Sequence, residues 1–138
     1  MIIFLILILL ASPAHAQEFY VYKPVKITDG DTIKLDVSKE SPLIKKLGLS
    51  VRIKGIDTPE KAPRAKCKKE SELEQQATKY TTELVGNKEL LLSQVENDHY
   101  GGRIVANVKV GGVDVAQELL KKGLARVYNG EKKKSWCD

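Results

Sequence analysis

Short runs of β-branched and aromatic residues, each bounded by a turn signal, constrain the fold of this chain more than any other feature. The first two runs, residues 19–28 and 32–37, meet at Asp29-Gly30-Asp31. Asp-Gly between two such runs is a strong signal for a tight β-hairpin. Three further strands are predicted at residues 51–56, 90–95 and 103–110.

Two segments have the pattern of helices. Apolar residues within 69–85 recur at steps of four, three and four, which puts them on one helical face. They are Leu73, Ala77, Tyr80 and Leu84. Gly86 is suited to end this helix. A shorter helix is predicted over residues 114–122, with Asp114 as its N-cap, and residues 38–50 are predicted to form a loop.

This order of elements predicts an α+β, mainly β fold, a five-stranded Greek-key barrel of the OB type with two or three helices. Barrels of this type often bind oligonucleotides across a strand face and its loops. Other small α+β folds fit the same order of elements. The pattern by itself therefore favours the barrel without excluding them.

The N-terminal segment has the composition of a signal peptide. Residues 2–10 form an unbroken apolar run, and Ala14-His15-Ala16 has the small-x-small pattern that signal peptidase cleaves. We predict that residues 1–16 are removed and that residues 17–138 form a single domain, secreted or periplasmic. The alternative is an uncleaved membrane anchor, although the apolar run is shorter than the roughly 20 residues that span a bilayer.

The chain is basic, with a formal net charge of +5. An excess of Lys and Arg favours a polyanionic partner such as nucleic acid or anionic lipid, because these side chains release counterions from phosphates. The only biased run of the sequence is also basic and covers residues 132–134.

Two cysteines, Cys67 and Cys137, follow the predicted signal peptide. In an oxidising compartment an even count favours one disulfide between them. Two free thiols or an intermolecular bridge are the alternatives. A zinc site is not predicted, because neither cysteine has a second Cys or His at ligand spacing.

Five charged residues together suit the cleavage of a phosphodiester. Asp31 follows a tight turn and Asp57 ends a predicted strand, so a barrel that joins those ends would place both carboxylates on one cation. Oxygen ligands without Cys or His favour Ca²⁺ or Mg²⁺ over Zn²⁺. Arg52 and Arg103 offer planar forks of donors to phosphate, and Glu60 is placed to accept a proton from water. Each of these residues, taken alone, can be explained by a structural role. Their joint occurrence indicates catalysis.

The chain resembles the staphylococcal nuclease (thermonuclease) family from about residue 25 to residue 127. The sequence patterns of that family occur in this chain as ITDGDT at 27–32, VRIKGIDTPE at 51–60 and DHYGGR at 98–103. The stretch GLARV at 123–127 is similar to the family's sequence after the second helix.

This resemblance implies a role for each site residue. By it, Asp31 and Asp57 bind Ca²⁺ with help from the carbonyl of Thr58, and Glu60 is the general-base candidate. The scissile phosphate is held by the arginines Arg52 and Arg103.

The resemblance also covers two aromatic residues and includes two departures. Tyr100 and Tyr128 match regions where the family places aromatic residues near the nucleotide, with packing as a nearly equal alternative. Two glycines precede Arg103 where the family commonly has one. His99 replaces a position that is often Lys, and we expect it to be a solvated loop residue.

The implied function is that of a secreted, calcium-dependent phosphodiesterase, an endonuclease of DNA and RNA with little sequence preference. Mg²⁺ suits the site less well than Ca²⁺, because Mg²⁺ requires a near-ideal octahedral shell. A monomer is expected, without a stable protein partner or stable membrane association. The alternatives are a catalytically inactive OB-fold nucleic-acid-binding protein and an exported anion-binding module, and the retained acids argue against both.

Overall fold

The computed structural model describes residues 16–138. The predicted signal peptide, residues 1–16, lies outside the described residues except for Ala16, so it stays a prediction. Within residues 16–138, no helix is long and apolar enough to cross a membrane.

Strands dominate the described part of the chain, and helices are inserted between them. The nine strands found there are β1 (Phe19–Tyr22), β2 (Pro24–Asp29), β3 (Thr32–Leu35), β4 (Ser50–Ile53), β5 (Ile56–Asp57), β6 (Leu90–Asn97), β7 (Arg103–Val110), β8 (Val113–Asp114) and β9 (Arg126–Val127). The three helices found there are α1 (Pro42–Leu47), α2 (Lys68–Val85) and α3 (Val115–Lys121). The helices predicted at 69–85 and 114–122 are confirmed as α2 and α3.

Six strands, in the order β1-β6-β7-β4-β3-β2, form one curled half-barrel. The two edge strands, β1 and β2, are separated in the chain by Lys23 alone, so both edges lie close together and the sheet must curl. Strands β4 and β7 pair in parallel, whereas the other neighbours pair antiparallel. Strand β8 pairs with β7, and β5 pairs separately with β9. The predicted OB-type, mainly β fold is confirmed.

Three details of the prediction are wrong. The predicted strand at 51–56 is divided at residues 54–55, because β4 belongs to the main sheet whereas β5 pairs with β9. The predicted strand at 19–28 is divided at Lys23, because its first half pairs with β6 and its second half with β3. The predicted loop at 38–50 contains α1, a helix of six residues with Pro42 in its first turn and no buried residue. A helix of six residues is too short for its apolar residues to repeat, so it leaves no clear periodic signal in the sequence. The division of the run at 19–28 and the two-residue strands β5, β8 and β9 raise the strand count above five.

Local signals explain why the longer helices begin and end where they were predicted. The Cys67 side chain caps α2 and accepts a hydrogen bond from the backbone N–H of Glu70. Gly86 ends α2 with a positive φ of 52°, a conformation that favours glycine. Helix α3 begins after Asp114, whose carboxylate accepts a hydrogen bond from the backbone N–H of Gln117.

Alternation along β4 separates the core from the opposite face of the sheet. Val51 and Ile53 are buried in the hydrophobic core, while Arg52 between them is only half-buried. Because successive side chains of a strand point to opposite faces, Arg52 lies on the face away from the core. Thr32 of β3 is its partner in the ladder, so the residues at the start of β3 lie beside Arg52.

Helix α2 packs against the turn between β2 and β3. The buried Thr81 hydroxyl donates a hydrogen bond of 2.8 Å to the carbonyl of Gly30. A Cβ at Gly30 would lie 2.8 Å from the Cβ of Ala77 and 3.2 Å from the Cβ of Thr58. Only glycine fits this gap, and the contact fixes the turn that carries Asp31.

The structure pairs Cys67 with Cys137, and their Cα atoms are 6.0 Å apart. This pairing brings the C-terminal residues to the start of α2. The predicted partners are therefore adjacent in the fold.

Gly30→Ala should destabilise the protein by about 1–3 kcal/mol, because the added methyl group must displace α2 or Thr58. Gly101→Ala is the matched control, since a Cβ at Gly101 meets no atom within 4 Å. Urea unfolding of both variants measures the difference. Equal stability of the two variants would contradict the close packing at Gly30.

Candidate active site

A cleft of about 560 Å³ opens beside the ends of β3, β4 and β7. Its lining includes Asp31, Arg52, Glu60, Tyr100, Arg103 and Tyr128. Strand pairing explains this convergence, because Arg52 pairs with Thr32 on one side and with Val105 on the other. Ser50, two residues before Arg52, pairs with Arg103. Residues from separate sequence motifs are thereby brought to one cleft.

Arg52 lies between two acidic side chains. Its Nε atom is 3.7 Å from Oδ2 of Asp31, and its Nη2 atom is 4.0 Å from Oδ1 of Asp57. The two carboxylates are nearly buried, with side chains only 10% and 8% exposed. Because a single guanidinium contacts both carboxylates, Asp31 and Asp57 lie on the same side chain, Arg52. Their predicted role as cation ligands stays a prediction.

The buried carboxyl group of Asp31 lies close to both a carboxylate and a guanidinium. The pKa of Asp31 is raised to about 7, chiefly by burial and in addition by a hydrogen bond and the charge of the neighbouring Asp29 carboxylate. Arg52 and the Thr32 hydroxyl act in the opposite direction without cancelling these effects. Arg52 alone does not return the pKa of Asp31 to its usual value, so a further cation would stabilise the ionised carboxylate.

Asp57 contacts two side chains that the sequence analysis did not identify. The Nζ atom of Lys133 is 2.9 Å from Oδ1 of Asp57. The Nε1 atom of Trp136 donates a hydrogen bond of 3.4 Å to Oδ2. Partial burial of Lys133 opposes its charge, but the hydrogen bond and the charge of Asp57 hold its pKa above the usual value. In the sequence, Lys133 was one member of the basic run at 132–134, and nothing local distinguished it from its neighbours.

The donor set at this point suits a hard cation. Asp31 and Asp57 provide carboxylate oxygens that face one guanidinium, and Thr58, also buried, follows Asp57 directly. Within residues 16–138, no group of three or more His, Cys, Asp or Glu side chains is arranged to hold a metal ion. Two carboxylates with neutral oxygens fit Ca²⁺, which accepts irregular shells completed by carbonyls and water.

Glu60 lies at the wall of the cleft, with its side chain one-third exposed. Its Oε2 atom is 3.4 Å from Nε of Arg64, and its Oε1 atom is 3.7 Å from Nζ of Lys133. The buried Glu70 of α2 accepts hydrogen bonds from the backbone N–H groups of Glu60 and Lys66. Glu70 therefore ties the segment that carries Glu60 to the first turn of α2. The sequence analysis did not identify Glu70 as a support of the site, because an acidic residue in the first turn of a helix is common.

Arg103 is oriented by two residues of the preceding turn. Its Nε atom donates a hydrogen bond to Asp98, and its guanidinium carbon lies 4.5 Å from the ring centre of Tyr100. Burial alone would raise the pKa of Asp98, but the hydrogen bonds from Arg103 and from the His99 backbone lower it overall. The second glycine, Gly102, has a φ of 72° and completes the turn. Arg103 still lines the cleft, so the additional glycine does not remove it from the site.

Both predicted aromatic residues line the same cleft. Tyr100 is 67% exposed, so one face of its ring is open to a ligand. The ring centre of Tyr128 is 5.7 Å from the guanidinium carbon of Arg52 and 5.5 Å from Nζ of Lys133. His99 is exposed at the rim, as expected of a solvated loop residue.

A model of the staphylococcal nuclease homologue family matches residues 50–136 of this chain. The matched region contains Arg52, Asp57, Glu60 and Arg103, whereas Asp31 precedes it. Asp31 is joined to the matched region by the β3–β4 ladder and by its ion pair with Arg52. A comparison with curated proteins gave no match.

Proposed function

Because the chain belongs to the staphylococcal nuclease homologue family, we propose that it is a calcium-dependent nuclease that hydrolyses phosphodiester bonds of DNA and RNA. The observation that carries this proposal is the convergence of Asp31 and Asp57 on Arg52 beside a cleft that also contains Glu60 and Arg103. A protein that only bound nucleic acid would have no use for two buried carboxylates, because their charge repels phosphate unless a cation lies between them.

The arginines are proposed to bind the phosphate that is cleaved. Each guanidinium offers several N–H donors to the non-bridging oxygens, and these contacts strengthen as charge develops during attack. Arg103 is already oriented by Asp98 and Tyr100, so little side-chain freedom is lost when it binds phosphate. Arg52 is likewise held by its two acidic partners.

Glu60 is proposed to accept a proton from the attacking water. As the water oxygen bonds to phosphorus, the bond from phosphorus to the leaving sugar oxygen breaks. The proton of the water passes to the Glu60 carboxylate, and the leaving oxygen takes a proton from solvent. Asp31, Asp57 and the carbonyl of Thr58 would hold Ca²⁺, which would supply positive charge to offset the charge that develops during attack. The one-third exposure of Glu60 leaves its carboxylate accessible to water.

Tyr100 and Tyr128 are proposed to stack on nucleotide bases. Every base offers an aromatic face, so stacking selects weakly among sequences. The net charge of +5 adds affinity for phosphates that is also independent of sequence. Together these features support a substrate range of DNA and RNA with little sequence preference.

Glu60→Gln should lower the cleavage rate of a labelled oligonucleotide by roughly 10²–10⁴ and leave binding almost unchanged, because the amide cannot accept the proton. Glu72→Gln is the matched control, since Glu72 lies on the exposed face of α2 and pairs only with Lys68 there. Cleavage and binding are measured with Ca²⁺, with Mg²⁺ and with chelator. The wild type should be most active with Ca²⁺ and inactive with chelator.

Two results would contradict the proposed nuclease. Cleavage by Glu60→Gln at the rate of the wild type would remove Glu60 from the reaction. Binding without any cleavage by the wild type would favour the alternative, a catalytically inactive OB-fold nucleic-acid-binding protein.

The proposal includes export of the protein and a monomeric state. The predicted signal peptide at 1–16 would deliver the chain to an oxidising compartment, where Cys67 and Cys137 would form a disulfide. Their adjacency in the fold supports this pairing. A monomer is supported by the presence of all proposed site residues in one chain.

Reduction of the exported protein should lower its melting temperature, because the disulfide closes a loop across 70 positions of the chain. In the chain-entropy account such a loop contributes on the order of 4 kcal/mol. Mass spectrometry of a non-reduced digest identifies the pairing, and the double variant Cys67→Ser/Cys137→Ser is the control whose melting should not respond to reductant. Two free thiols in protein recovered outside the cytoplasm would contradict the pairing.

A further inference from the structure

The C-terminal strap, defined here as residues 129–138, runs past the proposed calcium ligand Asp57. Strand β9 pairs with β5, so that Arg126 lies opposite Asp57. The backbone N–H of Tyr128 then donates a hydrogen bond of 2.9 Å to the carbonyl of Gly55. The strap therefore begins directly beside the cleft.

Several contacts hold the strap in this position. Trp136 is buried, and the guanidinium carbon of Arg126 lies 3.9 Å from its ring centre. Arg126 also donates a hydrogen bond to the carbonyl of Ser135. Cys137 is paired with Cys67, and Lys69 of α2 donates a hydrogen bond of 2.6 Å to the carbonyl of Asp138. The strap is thus fixed on both sides of Asp57.

The strap contacts both carboxylate oxygens of Asp57. Lys133 is 2.9 Å from Oδ1, and Trp136 donates to Oδ2. Lys133 is also 3.7 Å from Glu60, so its ammonium lies between the two acids. Within residues 16–138, neither Lys132 nor Lys134 forms an ion pair, although both line the neighbouring cavity.

We propose that Lys133 is an intramolecular competitor for the divalent cation at Asp57 and thereby sets the calcium concentration at which the site fills. The inference rests on the proposed calcium site. An ammonium and a divalent cation on the same carboxylate repel each other, so calcium binding must weaken the contact between Lys133 and Asp57. The Lys133 side chain is 43% exposed, so its ammonium can move into solvent without losing hydration.

The test is calorimetric titration of Ca²⁺ into the purified full chain and its variants. Lys133→Gln should lower the dissociation constant roughly three- to tenfold, a modest factor because the pair is partly exposed to solvent. Lys132→Gln and Lys134→Gln are matched controls that remove the same charge from the same strap without removing a contact to Asp57. Lys133→Arg keeps the charge and should bind calcium as the wild type does.

The direction of the change separates competition from a structural role. If Lys133 only supported the strap, its loss would weaken calcium binding or leave it unchanged. The gain in affinity should also shrink as salt is raised from low ionic strength to about 1 M, because salt screens the repulsion. Melting in chelator confirms that each variant is folded.

Tighter calcium binding by Lys133→Gln than by both controls supports the proposal. Calcium binding of equal or lower affinity in Lys133→Gln overturns this inference alone and leaves the proposed nuclease in place. No calcium binding by the wild type or by Lys133→Gln overturns the inference together with the proposed calcium dependence.

Discussion

The ion pairs of Arg52 with Asp31 and Asp57 are the interaction on which the rest of the site depends. A buried carboxylate is stable only when its charge is matched, and here one guanidinium serves two of them. The shared arginine holds both acids beside it, and Lys133 adds a second positive charge at Asp57 but not at Asp31. The β3–β4 ladder places the residues after the turn beside Arg52, and α2 fixes that turn at Gly30.

Charge balance around Asp57 depends on residues that are distant in the chain. The partners of this carboxylate come from β4 and from the C-terminal strap, which is anchored at the start of α2. The same helix start carries Glu70, which holds the segment of Glu60. The Cys67–Cys137 pairing thus links the strap that contacts Asp57 to the helix start that holds the segment of Glu60. A change in the strap should therefore alter the charge around Asp57 as well as the stability of the fold.

The sequence predicted the features that local signals encode. The Asp-Gly turn and the signals that begin α3 at Asp114 and end α2 at Gly86 each act within a few residues, and each is found in the structure. The division of the run at 19–28 into the two edge strands β1 and β2 was not predictable, because their partners β6 and β3 are chosen across the whole chain. For the same reason the contact of Lys133 with Asp57 was missed, since three consecutive lysines look alike until the strap is in place.

The most direct test of the central claim is the affinity for Ca²⁺ of the wild type and of Asp31→Asn at pH 6 and pH 8. Calcium binds the ionised carboxylate, so a pKa of about 7 for Asp31 makes protons compete with calcium at pH 6. The account predicts that wild-type affinity rises up to about tenfold from pH 6 to pH 8, and that Asp31→Asn binds weakly at both values. Calcium binding that is unaffected by Asp31→Asn would contradict the claim that these buried carboxylates form the cation site.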